Sequence, residues 1–211
     1  MQEDNREDFQ GMNFISLTLL SDKIRAGIIG AGRAGLIKTK SFIKNNVSVE
    51  VLSNEFLDEF YELKSDKLKL IKGEYKSDFL KDKHIVVIAV DGDVKDKIRD
   101  DCERQNKIYI DCSNFKDGNA LMPMQGRTKN IYYSVNTFMG NPRASVFLSD
   151  RMHNFLMDFD EFVGFTSNIR SKANINRKDI MNFLNSRDFY FMYRKGKHNL
   201  VLKLFLEDCY D

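Results

Sequence analysis

Apolar and polar residues along the first half of the chain are arranged in a repeating strand–helix–strand pattern. Four short apolar runs predict buried strands: 23–30, 47–53, 84–90 and 107–113. The amphipathic stretches between them predict helices: 36–46, 56–66 and 93–105. LKLIKGEY at 68–75 predicts one further short strand. Because strands and helices alternate at this spacing, the pattern predicts an α/β fold built on a parallel sheet.

The pattern changes after residue 113. NALMPM at 119–124 and NIYYSVNT at 130–137 predict antiparallel strands or an extended arm. The two prolines of the chain, Pro123 and Pro142, both fall in this zone. We therefore expect a connecting region between two differently built parts of the chain.

Helices are predicted for the remainder. From Ala144 onward, apolar residues recur at helical spacing. After a polar break at 171–177, the same spacing predicts two further helical stretches, at 180–196 and 198–208. The second part of the chain is therefore expected to be a helical domain.

The turn between the first predicted strand and the first predicted helix carries a glycine pattern, GAGRAG at 30–35. In this context Gly30 permits a tight turn, Gly32 lets the backbone approach a pyrophosphate, and Gly35 allows close packing of helix on strand. Free N–H groups at the helix start then hold the phosphates. A purely structural glycine-rich turn is the alternative, but the strand before and the helix after favour a dinucleotide site of Rossmann type.

The second predicted strand ends at Ser53, Asn54 and Glu55. An acidic residue at this place binds the ribose hydroxyls in NAD sites, which is a role for Glu55. Ser53 or Asn54 can make neutral hydrogen bonds there instead. No arginine follows directly to receive a 2′-phosphate, which favours NAD over NADP. Arg33, inside the glycine loop, can neutralise a phosphate, so NADP remains an alternative cofactor.

Charge and composition narrow the class of protein. The chain has 33 Lys and Arg and 31 Asp and Glu, which gives a net charge of +2. Proteins that bind nucleic acids normally carry a clear excess of basic residues, so we expect no nucleic-acid partner. The three cysteines show no C-x-x-C spacing, and the three histidines are scattered. No metal site is therefore expected.

The beginning of the chain reads as a polar tail over residues 1–11, unlike a signal peptide. MNFISLTL, at 12–19, is typical of a short strand or a packed lead-in. No apolar run reaches the roughly 18–20 residues that span a bilayer. We therefore expect no membrane partner and a cytoplasmic protein.

Six blocks of the sequence, taken in order, carry a family resemblance: IIGAGRAGLIKTKSFI, VSVEVLSNEF, HIVVIAVDGDVKDK, KIYIDCSN, LMPM and MGNPRASVFLSDRM. They resemble the precorrin-2 dehydrogenase and sirohydrochlorin ferrochelatase family, the N-terminal module of sirohaem synthases. The resemblance implies a Rossmann-type parallel sheet, a dimerisation segment, a helical C-terminal domain and a homodimer. The expected boundaries are a polar tail at 1–11, an NAD-binding Rossmann domain at 12–113, a dimerisation segment at 114–143 and a helical C-terminal domain at 144–211.

The resemblance also implies a function. It predicts an oxidoreductase of sirohaem and porphyrin biosynthesis that uses NAD to oxidise the tetrapyrrole precorrin-2 to sirohydrochlorin. Besides the three glycines, it implies nucleotide contacts at Arg33, Ala34, Asn54, Glu55, Val90 and Asp91. Because precorrin-2 carries many carboxylates, Arg127 and Arg143 are the expected substrate-binding cations.

One block departs from the family pattern. The family's N-V-V-D, whose aspartate is the proposed acid or base, corresponds here to DCSN at 111–114. That aspartate falls on Ser113 or Asn114, which carry no carboxylate, and Asp111 lies nearby. Asp111 and Asn114 are therefore the catalytic candidates. Dehydrogenation mainly needs a positioned cofactor and substrate, so we expect it to survive this change better than metal insertion. The alternative is a catalytically impaired NAD-binding regulatory protein of the same fold.

Overall fold

The structure, a computed structural model, describes residues 13–138, 140–172 and 177–206. The chain divides into two compact units, Met1–Met122 and Pro123–Asp211. The polar tail expected at 1–11 and most of the polar break expected at 171–177 lie outside the described residues.

Five parallel strands form the sheet of the first unit: β1 (Arg25–Ala31), β2 (Ser48–Phe56), β3 (Leu68–Lys72), β4 (Ile85–Ile88) and β5 (Ile108–Asp111). Their order in the sheet is β3-β2-β1-β4-β5. Two helices connect them: α1 (Arg33–Lys44) follows β1, and α2 (Asp93–Arg104) follows β4. The predicted α/β fold with a Rossmann-type sheet is confirmed. The strand order reverses between β1 and β4, and ligands of such sheets bind beyond the carboxyl ends of the strands at that point.

Burial explains why these strands form. In β4 all four residues are buried, and β1 is buried from Ala26 to Ala31, as expected for central strands of a parallel sheet with helices on its faces. Helix α1 covers the sheet with Leu36 and Phe42, and α2 with Ile98. Each fully buried aliphatic side chain of this kind contributes about 1.5–3 kcal/mol to folding.

Two expectations for the first unit are wrong. Residues 13–20 form neither a strand nor a packed lead-in; they have no regular structure and are exposed, Ile15 by 87%. The side chains of Ile15 and Leu17 are largely in solvent.

The helix expected at 56–66 is also absent. Instead, β2 continues to Phe56, and a single 3₁₀ turn follows at Asp58–Phe60. Phe60 is fully buried and meets Phe56 edge to face at 5.6 Å. These apolar residues, spaced as on a helix, therefore anchor a loop to the core.

Among its described residues, the second unit contains a hairpin and four helices. Strands β6 (Met124–Arg127) and β7 (Tyr132–Val135) pair antiparallel. β7 lies within the predicted stretch 130–137, but β6 shares only Met124 with the stretch predicted at 119–124. The helices are α3 (Pro142–Lys172), α4 (Arg177–Leu184), α5 (Arg187–Arg194) and α6 (His198–Leu206). The single stretch expected at 180–196 is divided because the Ser186 side chain accepts the backbone N–H of Phe189 and starts a new helix there. None of the described helices is both long enough and apolar enough to cross a membrane.

The hairpin turn is fastened to α3 by one buried carboxylate. Asp160, which is 6% exposed, accepts hydrogen bonds from the Thr128 hydroxyl, from the Asn130 backbone N–H (2.8 Å) and from the Asn130 side-chain amide (3.0 Å). A β-carbon on Gly164 would lie only 2.7 Å from that amide nitrogen, so glycine leaves room for Asn130. These contacts fix the turn of the hairpin on the helix.

The first half of α3 has its apolar and polar faces reversed. Its buried positions are Ser145 and Ser149, and the Tyr133 hydroxyl of the hairpin donates to the Ser149 carbonyl at 3.0 Å. The exposed positions carry large apolar side chains: Val146, Phe147, Leu148, Met152 and Phe155. A surface helix of a globular protein normally shows the opposite arrangement.

Candidate nucleotide-binding site

Two glycines of the loop between β1 and α1 are required by the fold itself. Gly30 has a φ of +104°, and a β-carbon there would lie 2.2 Å from the carbonyl oxygen of Ala89. A β-carbon on Gly35 would lie 2.1 Å from the carbonyl oxygen of Gly30. Real β-carbons do not approach backbone atoms so closely. The two positions therefore let β1, β4 and the start of α1 pack against each other.

Gly32 differs from these two. Its backbone is extended (φ −79°), a conformation open to any residue, and a β-carbon there would meet no atom of the described residues within 4 Å. The protein fold therefore leaves the space in front of Gly32 free. That space lies at the N-terminus of α1, because Gly32 is the residue that caps the helix. A phosphate group fits such a place, where a side chain would compete with it.

The N-terminus of α1 is also electrically suited to an anion. The cap residue has no side chain to accept the first N–H groups, and the described first turn contains no acidic residue. Helix N-termini carry a partial positive charge, and their first N–H groups have no partner within the helix. Arg33 and Ala34 of this turn are exposed. The Arg33 guanidinium adds a full positive charge beside these groups.

The end of β2 runs alongside the glycine loop. Ile29 of β1 pairs with Leu52, but Ala31 pairs with Phe56, so residues 53–55 of β2 are opposite Gly30. Asn54 and Glu55 are both exposed there. The structure thus brings these two predicted contacts next to the loop, at the edge where the carboxyl ends of the strands meet.

The segment after β4 borders the loop on its other side. A β-carbon on Gly30 would lie 2.7 Å from the Val90 side chain, which shows how closely Val90 approaches the loop. Asp91 follows and is exposed. The Ser113 hydroxyl, after β5, donates to the Asp91 carboxylate at 2.7 Å. Asp91 is therefore held between the glycine loop and the segment after β5.

Asp111 is a buried carboxylate whose oxygens are both engaged. Its Oδ1 accepts the backbone N–H groups of Ser113 and Asn114, each at 2.9 Å. Its Oδ2 lies 3.0 Å from the Lys95 ammonium, and the side chain is 0% exposed. The hydrogen bond to Asp111 raises the pKa of Lys95 above its usual value. Asp111 therefore shapes the turn that follows β5.

Asn114, the other catalytic candidate, is exposed at the end of that turn. Its side-chain oxygen accepts the backbone N–H of Lys116 at 3.3 Å and caps the 3₁₀ helix Phe115–Asp117. The catalytic roles of Asp111 and Asn114 stay predictions.

The two predicted substrate-binding cations belong to the second unit. Arg127 is the last residue of β6, Arg143 is the second residue of α3, and both are exposed. Within residues 13–138, 140–172 and 177–206, no three potential metal-ligating side chains come together.

Sequence reasoning missed Lys95, and it named Ser113 only as a position without a carboxylate, not as a partner of Asp91. Lys95 lies in DGDVKDK, and its pairing with Asp111 bridges the start of α2 and the end of β5, which no local pattern reveals. Ser113 offers a sharper signal: it comes two residues after a strand-ending aspartate, a spacing at which a carboxylate accepts backbone N–H groups.

Comparisons with known proteins agree with this geometry. A family model described as "Putative NAD(P)-binding" matches residues 17–124, just over half of the chain. Among solved structures, the chain is similar to SirC, a precorrin-2 dehydrogenase, with a TM-score of 0.67 and 14% sequence identity. That match covers 90% of this chain and 98% of the other. No curated protein sequence matches. The resemblance stated from the sequence is confirmed, and the structural match shows a shared fold.

Proposed function

The chain belongs to this NAD(P)-binding family, and we propose that it is an NAD-dependent oxidoreductase that converts precorrin-2 to sirohydrochlorin in the synthesis of sirohaem. The observation that carries the proposal is the free space at Gly32, at the N-terminus of α1 and at the reversal point of the sheet. The fold shared with a precorrin-2 dehydrogenase supports the choice of substrate.

The residues of the glycine loop would hold the cofactor's pyrophosphate. The first N–H groups of α1 have no partner within the helix and would bind the phosphate oxygens, and Arg33, the first residue of α1, would supply a positive charge. Glu55 would accept hydrogen bonds from the ribose hydroxyls. A carboxylate there repels a 2′-phosphate, so we assign NAD rather than NADP. When bound, the nicotinamide accepts a hydride.

The substrate would be held by its carboxylates. Precorrin-2 is an acidic tetrapyrrole, and guanidinium groups bind carboxylates with two parallel hydrogen bonds. Arg127 and Arg143 are exposed and carry this role in the proposal. The reaction that we propose ends at sirohydrochlorin, without metal insertion.

A second copy of the chain would cover the exposed apolar surface of α3. Leu148, Met152 and Phe155 follow each other at i, i+4 and i+7, and therefore form one stripe along the helix. Exposed apolar stripes of this kind mark interaction surfaces. We propose a homodimer because twofold-symmetric dimers, in which both copies use the same surface, are the commonest homo-oligomers.

A catalytically impaired NAD-binding regulatory protein is the second candidate. It is favoured by the DCSN segment, where Ser113 and Asn114 carry no carboxylate and Asp111 is buried beside Lys95. A protein of this kind would bind the nucleotide but would not catalyse the oxidation.

One experiment separates the two candidates. The protein is supplied anaerobically with precorrin-2 and NAD, and the absorbance change to sirohydrochlorin is followed, while NAD binding is measured by calorimetry. Product formation supports the dehydrogenase. NAD binding without product leaves the regulatory protein, and absence of both removes the nucleotide site as well.

A further inference from the structure

We infer that Asp91 is the base that takes up the proton released in the proposed dehydrogenation. The inference rests on the proposed function and names a catalytic residue for it. It replaces the nucleotide contact that the family resemblance implies for Asp91, and it gives Asp111 a positioning role.

The reaction releases a proton, and a positioned base speeds its removal. Oxidation of the substrate removes two hydrogens: one leaves its carbon as a hydride, for which NAD would be the oxidant, and the other leaves as a proton. The electron pair left by the proton forms the new double bond of the substrate. A carboxylate at the mouth of the site that is exposed and held in one orientation can accept that proton.

Asp91 lies at the required place. It comes three residues after the end of β4, and β4 neighbours β1 at the reversal point of the sheet. Backbone contact between Ala89 and Gly30 brings this segment against the glycine loop. Asp91 is exposed, so a substrate in the crevice can reach its carboxylate.

A chain of contacts orients Asp91. The Ser113 hydroxyl donates to Asp91 Oδ1 at 2.7 Å, which leaves Oδ2 for the proton. Ser113 is itself placed by its backbone N–H bond to Asp111, at 2.9 Å. Asp111 is in turn held by Lys95 at 3.0 Å. Ser113, Asp111 and Lys95 therefore act through Asp91 and are positioning residues.

Neighbouring carboxylates fit the role less well. The Asp111 side chain is 0% exposed and has both oxygens engaged. Asp117 faces Lys95 at 3.5 Å. Glu55 lies on β2, on the opposite side of the glycine loop from Asp91. Asp93 is exposed in the first turn of α2 and provides a matched control two residues from Asp91.

The test is chemical rescue. Asp91→Ala is assayed anaerobically with precorrin-2 and NAD, with and without added formate, and its affinity for NAD is measured by calorimetry. We expect kcat to fall by about 10²–10⁴-fold, formate to restore part of it, and the NAD affinity to stay within about twofold. Asp93→Ala should keep wild-type kcat and show no response to formate. Wild-type kcat in Asp91→Ala, or loss of NAD affinity without rescue, overturns the inference.

The positioning role of Ser113 has its own readout. Ser113→Ala should lower kcat about tenfold without changing NAD affinity, because one hydrogen bond that orients Asp91 is lost. Ser113→Thr, which keeps the hydroxyl, should restore kcat. If it does not, the positioning role of Ser113 is overturned. If the wild-type protein binds NAD but forms no product, the proposed function and the role of Asp91 fail together. An active wild type with an active Asp91→Ala overturns the role of Asp91 alone.

Discussion

The backbones of Gly30 and Gly35 lie so close together that a β-carbon on Gly35 would be 2.1 Å from the Gly30 carbonyl oxygen. Gly35→Ala should therefore force α1 away from β1. We expect a loss of about 3 kcal/mol in the free energy of unfolding, measured by urea denaturation. Gly32→Ala is the matched control, because its β-carbon meets no atom, and it should change stability by less than about 0.5 kcal/mol. Equal stability of the two variants would contradict the close packing.

Gly32→Asp separates folding from cofactor binding. The new carboxylate fits the protein but occupies the space proposed for the pyrophosphate and repels it. We expect the Tm to stay near the wild-type value and the NAD affinity to fall at least about 100-fold, equivalent to about 2.7 kcal/mol. Calorimetric titration measures the affinity. Unchanged binding would remove the nucleotide site from the glycine loop.

Asp111→Ala tests the turn after β5. The change leaves Lys95 and two backbone N–H groups without their acceptor, so the Tm should fall. Turnover of precorrin-2 should fall about tenfold or more while NAD still binds, because the turn that places Ser113 is lost. Asp100→Ala, an exposed change on α2, serves as the control. Wild-type turnover in Asp111→Ala would exclude any part for this residue in the reaction.

Protonation of Asp160 at low pH should destabilise the second unit. The Thr128 hydrogen bond lowers the pKa of Asp160 below its usual value of 3.8. A carboxylate with a lowered pKa stabilises the fold above pH 3.8, and that stabilisation is lost as the pH falls through the lowered pKa. Asp160→Asn should therefore weaken the acid dependence of the Tm below about pH 4. An identical dependence in both proteins would show that the carboxylate contributes nothing.

The double variant Met152→Glu/Phe155→Glu tests the dimer. Two charges on the exposed stripe of α3 should prevent a second copy from covering it, and sedimentation velocity should then show a monomer. Phe191→Glu, at an equally exposed phenylalanine on α5, should leave the dimer intact. A wild-type protein that is monomeric at micromolar concentration would contradict the proposal directly.

The sheet could be predicted from sequence because its signals are local. Gly30 and Gly35 stand at a fixed spacing between an apolar run and an amphipathic one, and each of these features can be read within a few residues. The segment at 56–66 shows the limit of that reasoning. Phe56 and Phe60 have helical spacing, but the spacing serves to anchor a loop to the core.

Contacts between distant residues explain what the sequence did not reveal at the site. Asp111 could be recognised as a candidate, but its ion pair is with Lys95, 16 residues earlier in the chain. The bond between Asp91 and Ser113 joins two segments that meet only because β4 and β5 are neighbours. Such pairings follow from sheet topology, which periodicity alone does not provide.

The exposed segment at 13–20 has a consequence for handling the protein. NFISLTLL carries no charge, proline or glycine, and its alternating aliphatic residues Ile15, Leu17 and Leu19 are exposed to solvent. Segments of this composition assemble into intermolecular β-structure when they are accessible. Aggregation at high concentration should therefore start from this segment, ahead of the folded sheet.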